Sequence, residues 1–114
     1  MKTWKRVRKY VQKWKDDLGI CSWYMTYEYV QGIDESNPAI AGKASVLWQY
    51  NRATITFYLP QLKELDETTL EWVVVHEMCH VLINQMRAGT KKLTEMVLDH
   101  EEKVCTDLAW ASIS

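Results

Sequence analysis

The chain has 114 residues, a formal net charge of −1, and 47% hydrophobic and 25% charged residues. This composition fits one soluble globular domain spanning 1–114, large enough for a real core, and its balance gives no global field toward nucleic acid or membrane. The opening "MKTWKRVRKYVQKW" has no apolar segment of signal-peptide type, no run nears the roughly 18 apolar residues of a membrane span, and three scattered cysteines make no disulfide framework, so the expected setting is cytoplasmic.

Residues 4–18 place Trp4, Val7, Val11, Trp14 and Leu18 at helical spacing, with Gly19 as the stop. The other faces hold Lys2, Lys5, Arg6, Arg8, Lys9, Lys13 and Lys15, half of the chain's 14 positive residues. They read as a solvated helix face. A nucleic-acid patch is the sharper alternative, and the acidic remainder of the chain argues against it. "SWYMTYEYV" (22–30) is aromatic and β-branched and reads as a strand. Residues 31–42 form a loop by their Gly, Pro, Asn and Asp content. Residues 43–50 and 53–59 read as a hairpin turning near Asn51 and Arg52, its second arm alternating Ile55, Phe57 and Leu59 with polar neighbours until Pro60.

The next helix covers 65–89, with Asp66 as N-cap and Gly89 as C-cap. A last helix covers 93–112, with Leu93, Val97, Val104, Leu108 and Ala111 on one face. The order is helix, two or three strands, then two helices, a small α+β domain.

Chemistry concentrates in "WVVVHEMCHVLI" (72–83), an apolar helix carrying His76, Glu77 and His80. A lone histidine on an apolar face is most often a satisfied core residue. Two of them one turn apart point the same way and can share a zinc ion. Glu77 lies about 100° further round, beside the metal rather than on it, where a carboxylate can take a proton from water. Burying these groups unpaired would be costly, so a metal or a dense hydrogen-bond network must compensate.

A catalytic zinc needs a third protein ligand and an open position. The candidates are His100, Glu101 and Glu102 on the last helix. Glu101 lies near the Val97, Val104 and Leu108 stripe, which favours it on amphipathicity. Glu102 shares its side with Cys105 and Ala109, whose small size lets the two helices approach. Cys79 and Cys105 read as core thiols. As thiolates they would enter the zinc sphere and close it.

"HEMCH" (76–80) followed by "EKVCTDLA" (102–109) resembles the gluzincin metallopeptidases, most of all compact forms such as the ImmA/IrrE-type peptidases and small phage-associated zincins. The matching pattern is HExxH, a turn, then a glutamate with small residues at +3 and +7 and a large apolar residue at +6: Glu102, Cys105, Ala109 and Leu108. The resemblance covers residues 43–112 and implies a zincin-like fold with a small, mostly antiparallel sheet between the first helix and the HExxH helix. It implies His76, His80 and Glu102 as zinc ligands and Glu77 as general base of amide hydrolysis. His100 as third ligand would instead resemble SprT-like zincins. Where the family often has a carboxylate or amide behind a zinc histidine, this chain has Thr106, with Asp99 or Asp107 as substitutes. An extended peptide would pair with an edge strand within 43–59. Tyr50, Tyr58 and His100 are candidate oxyanion donors. The size of the chain leaves little material for a second lobe, so the site should be shallow and open and the substrate narrow or partner-presented. The alternatives are a regulatory zincin acting on one protein partner and a non-enzymatic zinc-stabilised binding module.

Overall fold

The structure is a computed structural model and describes residues 2–18, 24–88 and 95–113. Gly19 and Gly89, the two expected helix stops, lie outside these residues. The side chain of His100 also lies outside what is described.

Helix α1, Thr3–Asp17, turns its expected stripe inward. Val7 and Val11 are buried, and Trp4, Trp14 and Leu18 pack against the core. The basic face is not simply solvated. Arg6 Nε donates to Glu67 Oε1 at 2.8 Å, and Arg6 Nη2 donates to the Leu65 carbonyl at 2.7 Å. Lys13 Nζ and Trp14 Nε1 both donate to Glu71 Oε2, at 2.6 and 2.7 Å. Part of the positive charge therefore faces the acidic first turns of the next long helix. Exposed pairs of this kind contribute about 0–1 kcal/mol each, against about 1.5–3 kcal/mol for burying one large apolar side chain. The apolar stripe holds α1 down, and the ion pairs set where along its partner it sits.

Strands β1 (Tyr24–Val30), β2 (Gly42–Leu47) and β3 (Arg52–Tyr58) form one sheet in the order β1-β3-β2. β2 and β3 are the expected antiparallel hairpin, joined by a 3₁₀ turn at Trp48–Tyr50. Asn51 follows that turn with φ 51°, a left-handed conformation that asparagine tolerates better than most residues. β1 pairs with β3 in parallel, so the sheet is mixed rather than mostly antiparallel. β3 is the most buried strand, with Ala53, Ile55, Phe57 and Tyr58 all inaccessible, and burial on both faces suits a central position. The loop 31–41 only has to carry the chain past one strand, about 10 Å, which its length spans easily.

β3 runs directly into a single helical turn, α2 (Leu59–Leu62), with Pro60 in its first turn. Proline ends the strand and starts a helix because its missing N–H is one the first turn leaves unpaired anyway. Helix α3, Glu67–Ala88, begins as expected: the Thr69 N–H donates to Asp66 Oδ1 at 3.3 Å. Every residue from Val73 to Cys79 is buried, the signature of a helix covered on several sides. Ile55, Phe57, Leu70, Val74 and Met78 form the centre of one cluster under the sheet.

Helix α4, Glu95–Ile113, departs from expectation in the face it buries. Val104 and Leu108 are 45% and 44% exposed, and Ala111 is exposed too, whereas Cys105 and Ala109 are fully buried against Val75 and Cys79 of α3. Small side chains at the contact let the two backbones come close, and the larger ones turn outward. The result is a small α+β fold of four helices and a three-stranded mixed sheet among the described residues. No helix among them is long and apolar enough to cross a membrane.

Candidate metal centre

Helix periodicity puts His76 and His80 one turn apart on α3, and their rings meet edge to face with centroids 4.9 Å apart. α4 brings Glu102 to both. Its Oε1 lies 2.6 Å from His76 Nε2 and its Oε2 lies 3.1 Å from His80 Nε2. One ligand atom from each of His76, His80 and Glu102 lies within 4.8 Å of the others, the one such group among the described residues. Four ligands about 2.1 Å from a tetrahedral ion stand roughly 3.4 Å apart, so this spacing suits a metal of that kind.

The polar bookkeeping points the same way. His76 Nε2 is completely buried and makes no hydrogen bond, although a carboxylate oxygen is in contact with it. A buried nitrogen 2.6 Å from a carboxylate oxygen is satisfied when the ring carries a proton, and a cation taken up between the two would satisfy both in its place. The buried Glu77 sets its Oε1 3.4 Å from His76 Nδ1. Burial works against a charge on His76, yet the carboxylates of Glu77 and Glu102 outweigh it and raise its pKa above the ordinary 6.5. A metal needs this ring neutral, so the proton competes with it over an unusually wide range. Metal affinity should therefore fall as pH is lowered, and the bend in log affinity against pH should lie above 6.5. Metal titrations between pH 5.5 and 8.5 would check this; a bend at or below the ordinary imidazole value would contradict it.

Glu101, an alternative third ligand by sequence, does something else. Its Oε2 stands 3.5 Å from His80 Nδ1, on the side of the ring away from Glu102, and its side chain is 9% exposed. A carboxylate at that nitrogen orients the ring and makes its other nitrogen a better ligand. Thr106, Asp99 and Asp107 are the sequence candidates for such a supporting position. Asp107 is occupied with Lys103 at 3.0 Å, and Asp99 is exposed. Trp72, a turn before His76, stacks on its ring at 4.8 Å and is stacked in turn by Trp110 at 5.4 Å. The i, i+4 spacing of Trp72 and His76 carried that signal unread; nothing in the sequence marked Trp110.

The three candidate ligands open onto a cavity of about 540 Å³. One wall is α3 and α4; the other is the start of β2 with Gly42, Lys43 and Ala44, and the loop residues Asn37 and Ile40. Glu102, with its side chain 57% exposed, stands at the open side. Neither Tyr50 nor Tyr58 lines this cavity. Tyr50 is 73% exposed, and the Tyr58 hydroxyl lies 3.4 Å from Asp34 Oδ2. Cys79 and Cys105 sit behind the ligands in an apolar cluster. Burial pushes the Cys79 thiol up to about 11 and raises Cys105 as well, so both are neutral thiols at physiological pH and pack as core residues.

No family model, curated protein or solved structure matches the chain. The site is a buried and a partly buried imidazole with an exposed carboxylate that could hold a metal ion, and the buried carboxylate of Glu77 beside them.

Proposed function

We propose that the protein is a zinc-dependent peptidase of the gluzincin kind, with His76, His80 and Glu102 as metal ligands and Glu77 as general base. The observation that carries this reading is the convergence of ligand atoms from His76, His80 and Glu102, with His76 Nε2 buried, at the edge of an open cavity. A zinc ion held there supplies Lewis-acid polarisation of a carbonyl and makes water easier to deprotonate.

The chain's own residues do the rest. Glu101 and Trp72 hold the two histidine rings in orientation. Glu77 takes a proton from water and returns it to the leaving amine. β2 is an edge strand, paired only with β3 among the described residues, and its first residues line the cavity. Its free backbone groups suit an extended peptide added as a further strand. The half-exposed Glu102 fits an open site rather than a closed structural one, which favours an enzyme over a zinc-stabilised binding module. The cavity is open on the side of Glu102, which suits a peptide presented by a protein partner and a narrow specificity.

The test is digestion of a complex peptide mixture by protein carrying one zinc per chain, followed by mass spectrometry. Cleavage at a restricted set of sites, abolished by a chelator and restored by zinc, is the expected result. Stoichiometric zinc with no cleavage of peptides or folded proteins would make the domain a binding module. Rapid digestion of casein would contradict narrow specificity.

A further inference from the structure

Gly42, the first residue of β2, has no room for a side chain. It belongs to the inward row of that strand with Ala44 and Val46, and it is paired with Phe57 of β3. A Cβ built there would lie 3.2 Å from Glu77 Cγ, 3.5 Å from Glu77 Cδ and 3.1 Å from the Thr56 carbonyl oxygen. Ordinary carbon contacts begin at about 3.5 Å. The place of a side chain at 42 is thus taken by the stem of Glu77.

We infer that Gly42 is a positioning residue for Glu77: its missing side chain is the slot that fixes the carboxylate between the edge strand and the metal ligands. The surroundings make the slot stiff. α3 is anchored on either side of Glu77 by Val74, Met78 and Val81, all fully buried. The Thr56 oxygen belongs to the backbone of the central strand. Backbone on the sheet side and a buried helix on the other give way less easily than the Glu77 side chain, so an added methyl pushes that side chain aside. The carboxylate then leaves its place 3.4 Å from His76 Nδ1, and a displacement of about 1 Å in a reacting group can cost on the order of 100-fold in rate. The packing stands on its own; its catalytic consequence rests on the peptidase reading above.

The test is a double-mutant cycle on thermal stability of the metal-free protein, using Gly42→Ala, Glu77→Ala and the two together. Gly42→Ala is expected to lower Tm by about 5 °C or more in the wild-type background. In the Glu77→Ala background, where the stem is gone and only the 3.1 Å approach to the Thr56 oxygen remains, it should cost clearly less. Should Gly42→Ala alone fail to fold, the double variant should recover folding. Equal losses in both backgrounds, or a double variant that also fails to fold, would overturn the inference.

Zinc content and kinetics complete the test. Gly42→Ala should keep one zinc per chain and lose more than about 10-fold in kcat with KM changed less than about 3-fold. Loss of the metal would overturn the assignment, because Gly42 would then act on the ligands, and so would an unchanged kcat. If the wild type cleaves no peptide at all, the peptidase reading fails, while the stability cycle still decides whether Gly42 makes the slot for Glu77.

Discussion

Glu102→Ala is expected to strip the protein of zinc, with affinity falling more than about 100-fold. Losing one of three ligands should exceed the roughly 10–100-fold typical of losing a group behind a ligand. Among the described residues Glu102 is the only carboxylate placed against both Nε2 atoms, at 2.6 and 3.1 Å. Its side chain is 57% exposed, so its removal leaves no hole in the core and the variant should fold. Glu101→Ala is the contrast. It takes away the carboxylate 3.5 Å from His80 Nδ1 and should weaken binding about 10–100-fold without abolishing it. His100→Ala should leave the metal in place. Elemental analysis of the three variants after dialysis against a weak chelator, with circular dichroism to confirm folding, separates these cases. Zinc lost with Glu101→Ala and kept with Glu102→Ala would exchange the roles of the two glutamates. Zinc lost only with His100→Ala would give the site three histidines.

Much of this centre is legible in the sequence because a helix converts spacing into direction. His76 and His80 at i and i+4, Asp66 at the helix start, and Glu102 on the side of Cys105 and Ala109 all follow from the 3.6-residue period. Failure came where one period offered two faces. On α4 both Val104–Leu108 and Cys105–Ala109 satisfy the spacing, and size alone favoured the larger pair. The choice depends on how closely α3 and α4 must approach, which is a property of the pair and not of either segment. The parallel pairing of β1 was hidden for a similar reason: the sequence marks the two arms of one hairpin but not the edge to which β1 adds, and β3, buried on both faces, takes the middle. Glu101 and Gly42 meet neighbours far away in sequence, Glu101 the ring of His80 and Gly42 the stem of Glu77. A basic helix with its partners some 57–61 residues downstream is equally opaque until the fold joins them.

Glu77→Gln should cripple hydrolysis while leaving the metal where it is. A positioned general base contributes about 10²–10⁴-fold, so kcat should fall by that factor. The substitution keeps the shape of the side chain, and its stem still fills the slot against Gly42. It changes only the head group: an acceptor that can take a proton becomes an amide that cannot. His76, His80 and Glu102 are untouched, so zinc content should stay at one per chain. The buried carboxylate also sits 3.4 Å from His76 Nδ1 and helps to raise the pKa of that ring. Removing its charge should therefore lower the pKa of His76 in the metal-free protein and shift the pH dependence of zinc binding toward acid. Activity lost with zinc retained, together with that acid shift, is the combination a general base beside a ligand must produce. Activity and zinc lost together would make Glu77 a support for the ligands. Full activity in Glu77→Gln would remove Glu77 from the reaction altogether, and a different group would have to accept the proton.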